Sequence, residues 1–264
     1  MIGFDYLGKL GQLGNQMFQY AATMGIADKI GVGFKIPKHD EIFDDGIGNK
    51  LHIELFDCFD IKPNIGFINS GKVYQQSGFE FDGSVFDIKN DDFTLYGFYQ
   101  TEKYFIHIQD KVRKEFTFKQ HIVDECKNII DNYFDNPISL HIRRGDFLTN
   151  SGNHHNQSLE YYADALSKFE KGRQVIIFSD DPAWCMEQDL FSDDSFIISE
   201  QADSYHDLYM MTQCNDFIIA NSSFSWWGAW LANRGRVIAP KKWFGPNNAH
   251  LNTKDLYPDH WEVI

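Results

Sequence analysis

Cysteine is scarce. The four thiols, at 58, 126, 185 and 214, are too few for a disulfide scaffold and too far apart for the close pairs of a zinc site, so reduced thiols in a cytoplasm are expected. Long apolar runs are missing as well. No window approaches the ~20 apolar residues that span a bilayer, and the opening Met-Ile-Gly-Phe-Asp-Tyr has no basic stretch followed by an apolar core. The expectation is a cytoplasmic protein with no integral membrane segment, for which peripheral association with the inner membrane face stays open. Positive charge is outnumbered, with 24 Lys and Arg against 38 Asp and Glu, a formal charge of -14. That balance argues against a general nucleic-acid partner, which needs a basic face, so any phosphate site must be local. Asp-x-Asp, the pair with which many sugar-nucleotide enzymes hold a divalent cation, does not occur. The adjacent His154 and His155 make a poor metal site, because neighbours in sequence point apart.

What is present suits a globular enzyme. Hydrophobic residues make up 43% and aromatics 16% of a chain with seven prolines. This length gives room for two lobes of about 130 residues, each burying its own core. The division expected is 1–134 and 135–264. After a glycine-punctuated loop (Gly8, Gly11, Gly14), residues 16–29 read as a helix with Asn15 as its N-cap. Residues 31–93 show no clear period. A strand-like run at 94–100 and a helical stretch at 104–114 follow.

Beyond residue 135 the pattern is regular. Short β-rich apolar runs at 138–142, 174–178, 196–198, 216–220 and 236–239 alternate with helical stretches at 159–171, 204–212 and 224–233. Buried strands alternating with helices predict a doubly wound parallel α/β lobe, which binds ligands at the carboxyl ends of its strands. Three polar clusters stand at those ends: Arg143-Arg144-Gly145-Asp146, Ser179-Asp180-Asp181 and Asn221-Ser222-Ser223.

Each cluster has a specific and a bland reading. Arginine suits a diphosphate because its planar fork donates two parallel hydrogen bonds and stays charged, although Arg143 and Asp146 could equally form a structural ion pair. Asp180 and Asp181 could accept from the N1–H and amine of a guanine, or cap the next helix. Ser222 and Ser223 open a helix, where N–H groups and hydroxyls favour an anion. The tryptophans that follow, Trp226, Trp227 and Trp230, have the spacing of a core stripe and are expected to pack rather than stack on sugar. Without Gly-x-Ser-x-Gly the segment is no hydrolase elbow.

These motifs together resemble glycosyltransferase family 11, the α-1,2-fucosyltransferases. Residues 11–21, Gly-Gln-Leu-Gly-Asn-Gln-Met-Phe-Gln-Tyr-Ala, are similar to the family's N-terminal signature, and residues 97–105 to its central one. His141 to Asp146 is similar to the arginine motif shared with α-1,6- and protein O-fucosyltransferases. Residues 178–181 and 222–229 complete the set in order.

The resemblance implies a GT-B-like α/β fold of two facing Rossmann-like lobes, the N-terminal one on the acceptor side and the C-terminal one holding GDP-fucose. It implies an inverting, metal-independent transfer to a glycan acceptor, with no cofactor. Arg143 is then the leaving-group stabiliser. Asp146 and Glu102 are both candidates for the base, since inversion in one displacement places a base opposite the leaving group. His141, Arg144, Asp180, Asp181, Ser222 and Ser223 are assigned to the donor site, and Asn15 and Gln16 to the facing lobe near donor or acceptor. A protein O-fucosyltransferase and a non-catalytic sugar-nucleotide-binding module are the rival readings.

Overall fold

The computed structural model describes residues 1–46, 48–88, 91–201 and 203–264. The chain forms two compact units, Met1–Lys119 with Leu251–Pro258, and Gln120–His250 with Asp259–Ile264.

The first unit contains β1 (Ile2–Gly3), α1 (Leu13–Ile30), β2 (Phe34–Lys35), β3 (Phe43–Asp44), β4 (Lys50–Leu51), α2 (Leu55–Cys58), β5 (Val73–Gln75), β6 (Phe93–Tyr96) and α3 (Gln109–Glu115). Its main sheet runs β2-β1-β6-β5 and is parallel throughout, with β3 and β4 as a separate antiparallel pair. The strands of residues 31–93 are two or three residues long, too short to show a period of two, which is why no pattern is legible there. Helix α1 is buried over most of its surface, from Leu13 to Ala27. It begins three residues earlier than expected. Gln12 occupies the cap position without a side-chain bond, so Asn15 is the third helical residue and not the cap. Gly25 allows α1 to lie against the central motif, because a Cβ there would stand 2.2 Å from the Tyr104 carbonyl oxygen.

The run expected as one strand at 94–100 leaves the sheet after Tyr96. The helix expected at 104–114 resolves into two 3-10 turns, Glu102–Tyr104 and Ile106–Ile108, followed by α3. Near the C-terminus, Asp255 ties residues 251–258 into this unit. It accepts the Phe81 N–H at 3.0 Å and pairs with Lys103.

The second unit contains α4 (Gln120–Tyr133), β7 (Ile138–Ile142), α5 (Gly145–Thr149), α6 (Leu159–Leu166), β8 (Val175–Ser179), α7 (Pro182–Met186), β9 (Phe196–Ile198), α8 (Ser204–Gln213), β10 (Asp216–Ile218), α9 (Ser223–Ala232), β11 (Val237–Ala239) and β12 (Glu262–Val263). Helix α4, which the sequence reading did not assign, packs on α8 with Ile122 and Cys126 buried. The units therefore part at 119/120 and not at 134/135. The sheet runs β12-β11-β10-β7-β8-β9, parallel throughout. Counted from β9 this is 3-2-1-4-5-6, the doubly wound order. The alternating apolar runs of the sequence are these strands.

Ile138, Leu140, Ile142, Val175, Ile177, Ile218 and Ile238 pack with Tyr162, Ala165 and Cys185 into one core cluster. A second group joins α9 to the last strand. The Trp226 ring lies 5.0 Å from Trp227, 6.0 Å from Trp230 and 5.4 Å from Trp261, all four buried. The tryptophans are core, as their spacing suggested. Gly228 lets α9 approach α8, since a Cβ would meet that of Met211 at 2.9 Å.

Candidate active site

In a doubly wound sheet the strand order reverses between the first and fourth strands, here β7 and β10, and a crevice opens at their carboxyl ends. The three polar clusters follow β7, β8 and β10, so the topology brings to one edge residues that lie up to 80 positions apart.

Arg143 sits at the centre. Its Nη2 donates to Asp146 Oδ1 at 2.7 Å, its Nη1 faces Asp180 Oδ2 at 3.1 Å, and its guanidinium lies 5.5 Å from the Phe147 ring centroid. The structural ion pair weighed from the sequence is thus present, but shared among two carboxylates at the crevice. Gly145 makes the arrangement possible. A Cβ at 145 would stand 2.4 Å from Asp180 Oδ2, so a side chain there would expel the carboxylate from its bridge.

Arg144 is held differently. Its Nε donates to Asp181 Oδ2 at 2.9 Å and its plane lies 3.9 Å over the Trp184 ring, while its backbone N–H donates to Asp180 Oδ1 at 2.8 Å. Its two terminal amino groups make no hydrogen bond among the described residues. Stacking on an aromatic face and one charged contact fix the fork while leaving its end open. Hydrogen bonding to Arg144 also holds the Asp181 carboxyl below the usual range. Asp181 Oδ1 accepts the Trp184 N–H at 3.2 Å, so the capping reading of this residue holds.

His141 requires a correction. It lies inside β7, 5% exposed, and its Nδ1 meets Ser225 Oγ at 2.9 Å. Burial first, and Arg143 second, push its pKa down to about 3, so the imidazole is neutral. Its Nδ1 is engaged within the protein, which makes the residue a tie inside the fold. It joins the strand that carries the arginines to the first turn of α9. Ser222 is the N-cap of α9, its hydroxyl accepting the Phe224 N–H at 3.3 Å, and Ser223 is the first helical residue, so both stand at the helix's positive end. Asn221 is buried and staples two loops, donating to the His155 and Trp243 carbonyl oxygens at 2.7 and 2.8 Å and accepting from Gln157 at 3.1 Å. His154 stacks on Phe147 with centroids 4.1 Å apart, and burial lowers its pKa.

The remaining candidates belong to the first unit. Asn15 Oδ1 accepts from Gln100 Nε2 at 2.6 Å. Gln16 also needs correcting. It is fully buried, donates to the carbonyl oxygens of Gly11 and His52 and accepts the Glu54 N–H, which makes it a structural tie between two loops with neither amide end left for a ligand. Glu102 is half-buried and begins the 3-10 turn that Thr101 caps.

The sequence reading overlooked Trp184 and Gly145. A tryptophan three residues after Asp181 carries no mark of a guanidinium platform, and a glycine between Arg and Asp shows its purpose only when Asp180 is seen against it.

The profile of Glycosyl transferase family 11 matches residues 7–264. The chain belongs to this family. It is 31% identical to the Alpha-1,2-colitosyltransferase of Escherichia coli over 290 aligned positions, covering 96% of both chains. It is 24% identical to the human Galactoside alpha-(1,2)-fucosyltransferase 1, covering 86% of this chain and 65% of that one. Among solved structures it resembles NodZ alpha-1,6-fucosyltransferase soaked with GDP-fucose, at TM-score 0.57 and 13% identity over 95% and 97% of the two chains. It also resembles POFUT1 in complex with GDP, at TM-score 0.55 and 12% identity over 90% and 96%. At such identities the structural likeness establishes the fold, which is GT-B-like α/β. A family 11 member is a glycosyltransferase. Among the described residues no helix is long and apolar enough to cross a membrane.

Proposed function

We propose that this glycosyltransferase moves L-fucose from GDP-fucose to a hydroxyl of a galactoside glycan, inverting the anomeric carbon to form an α-1,2 linkage. The observation that carries this reading is the paired-arginine cluster at the switch point of a doubly wound sheet, beside the N-terminus of α9. The second unit then holds the donor and the first takes the acceptor side.

The acceptor oxygen attacks C1 as the bond from C1 to the β-phosphate oxygen breaks, through an oxocarbenium-like transition state. Negative charge grows on departing GDP, and donors preorganised where it appears lower the barrier. Arg143 is assigned to that oxygen, with Ser222, Ser223 and the N–H groups of α9 beside it. Asp146 and Asp180 keep the Arg143 fork extended while the donor is away, and an arriving diphosphate competes with them for its N–H groups. The open end of Arg144 offers a second contact to the diphosphate. Because Asp146 is bound to Arg143, its first role is to position, and Glu102 is the other carboxylate to which the acceptor proton can be assigned. In this reading the guanidinium charges do the work of a cation, and the reaction needs no metal or cofactor.

A second reading concerns the donor, because a colitosyltransferase is among the relatives. One assay addresses the reading and its rival. Purified protein is given radiolabelled GDP-fucose or the matching GDP-colitose with a galactoside panel, with and without excess EDTA, and the linkage is read by NMR. The expectation is α-1,2-fucosylated product at nearly full rate in EDTA. Product from GDP-colitose alone would transfer the donor assignment, and a rate restored only by added manganese or magnesium would end the metal-free mechanism.

A further inference from the structure

The central motif contains a segment whose backbone is held in an unusual shape, and the result is an exposed aromatic ring. β6 ends at Tyr96. Gly97 then takes φ +147° and Tyr99 takes φ +52°, the left-handed region that a side chain disfavours. A Cβ on Gly97 would lie 2.7 Å from that of Gln76. The shape is fixed from outside, because Gln76 Oε1 accepts both the Phe98 and the Tyr99 N–H, at 3.0 and 2.9 Å. Tyr99 is locked into the core, its hydroxyl donating to the Tyr74 carbonyl oxygen at 3.2 Å and its ring centroid 5.1 Å from Tyr104.

While Tyr99 and Tyr104 are fully buried, Phe98 is turned outward and left 42% exposed. Strain that the surroundings over-determine is a mark of functional segments. The place fits as well, since ligands of parallel sheets gather at the carboxyl ends of the strands, where Phe98 follows β6 and the half-buried Tyr6 and Tyr96 rings meet at 4.9 Å. A second observation lies beside it. Gln100 is 7% exposed with its Nε2 on Asn15, yet among the described residues its Oε1 has no donor, and neither has Oε1 of the fully buried Gln19, whose Nε2 reaches the Gly97 carbonyl oxygen at 3.4 Å. Buried acceptors normally find partners.

We propose that Phe98 is the stacking face of an acceptor-sugar subsite, on which the apolar C–H face of a galactoside lies, with its hydroxyls and their waters toward the Asn15–Gln100 side. A pyranose of this kind has one face of axial C–H bonds that excludes water against an aromatic ring, whose π-face is negative and attracts the partly positive hydrogens. This deepens the function proposed above and rests on it for the class of acceptor.

The test compares Phe98→Ala, Phe98→Leu and Phe98→Tyr. Lactose is the probe, in steady-state transfer and, without any donor, in saturation-transfer-difference NMR. The expected result is a rise in lactose KM of about tenfold for the alanine and leucine variants, near-wild-type values for the tyrosine variant, and an unchanged KM for GDP-fucose. The lactose signal should fall in the same order. If alanine does not fold, leucine against tyrosine decides, because the two differ in the ring. A lactose KM within twofold of wild type in the leucine variant, or an equal rise in both KM values, overturns the subsite. Wild-type protein that binds lactose but transfers no fucose overturns the proposed donor alone.

Discussion

A single added methyl at Gly145 gives the sharpest test of how the arginine cluster works. The Cβ of Gly145→Ala would stand 2.4 Å from Asp180 Oδ2, where ordinary contact begins at 3.4 Å, so the carboxylate must retreat by about 1 Å. Arg143 Nη1 now lies 3.1 Å from that oxygen, and a retreat of this size takes the pair to the 4 Å limit of an ion pair. The contact from the Arg144 N–H to Asp180 Oδ1 would loosen with it. Hydrogen bonds to charged groups contribute roughly 1.5–3 kcal/mol, and if that positioning is felt in the transition state, kcat/KM should fall on the order of 10- to 100-fold. Stability should change little, because alanine is intrinsically the better helix residue by up to about 1 kcal/mol and α5 begins at this position. The assay is initial-rate kinetics on GDP-fucose beside a thermal melt. Wild-type kcat/KM in a variant with wild-type Tm would refute the argument that the Asp180 bridge positions Arg143.

Three further outcomes follow from the same geometry. Arg143→Lys keeps the charge but cannot reach Asp146 and Asp180 together, so kcat should drop on the order of 10²-fold or more with the fold retained; wild-type turnover in this variant and a loss in Arg144→Lys would move the leaving-group contact to Arg144. GDP should inhibit far better than UDP if Asp180 and Asp181 accept from guanine while sharing their oxygens with the arginines, and equal affinities by calorimetry would remove the base from their role. Asp207 has its pKa raised to about 6, first by burial, with Ser199 donating to it at 2.6 Å. A folded pKa above the unfolded one gives stability that is full below about pH 4 and lost as pH rises through 6. Asp207→Asn should therefore melt higher than wild type at pH 7.5, by roughly 2–4 °C per kcal/mol relieved, with the gap closing toward pH 4; a gap equal at both pH values would count against the buried carboxylate.

The strands of the second unit were legible in the sequence, whereas α4 and the boundary at 119/120 were not. Strands buried on both faces of a parallel sheet must be apolar runs of β-branched residues, and the runs at 138–142 and 196–198 coincide with β7 and β9. Sequence position also put the arginine, aspartate and serine clusters at strand ends. The first unit was largely illegible because its strands are two to four residues long and α1 is buried on nearly all sides, so neither period is written in the chain. What individual side chains do is set by the packing of distant segments. His141 and Gln16 read as ligand contacts within their motifs, yet burial and the bonds of His141 Nδ1 and of both ends of the Gln16 amide make them structural ties. Asp180 is made a bridge by an absent Cβ 35 residues away, Arg144 is held by Trp184 from helix α7, and Phe98 is exposed through the amide of Gln76, just after β5. Periodicity and motif spacing are local along the chain, whereas a side chain's role depends on which distant atoms fill the space around it.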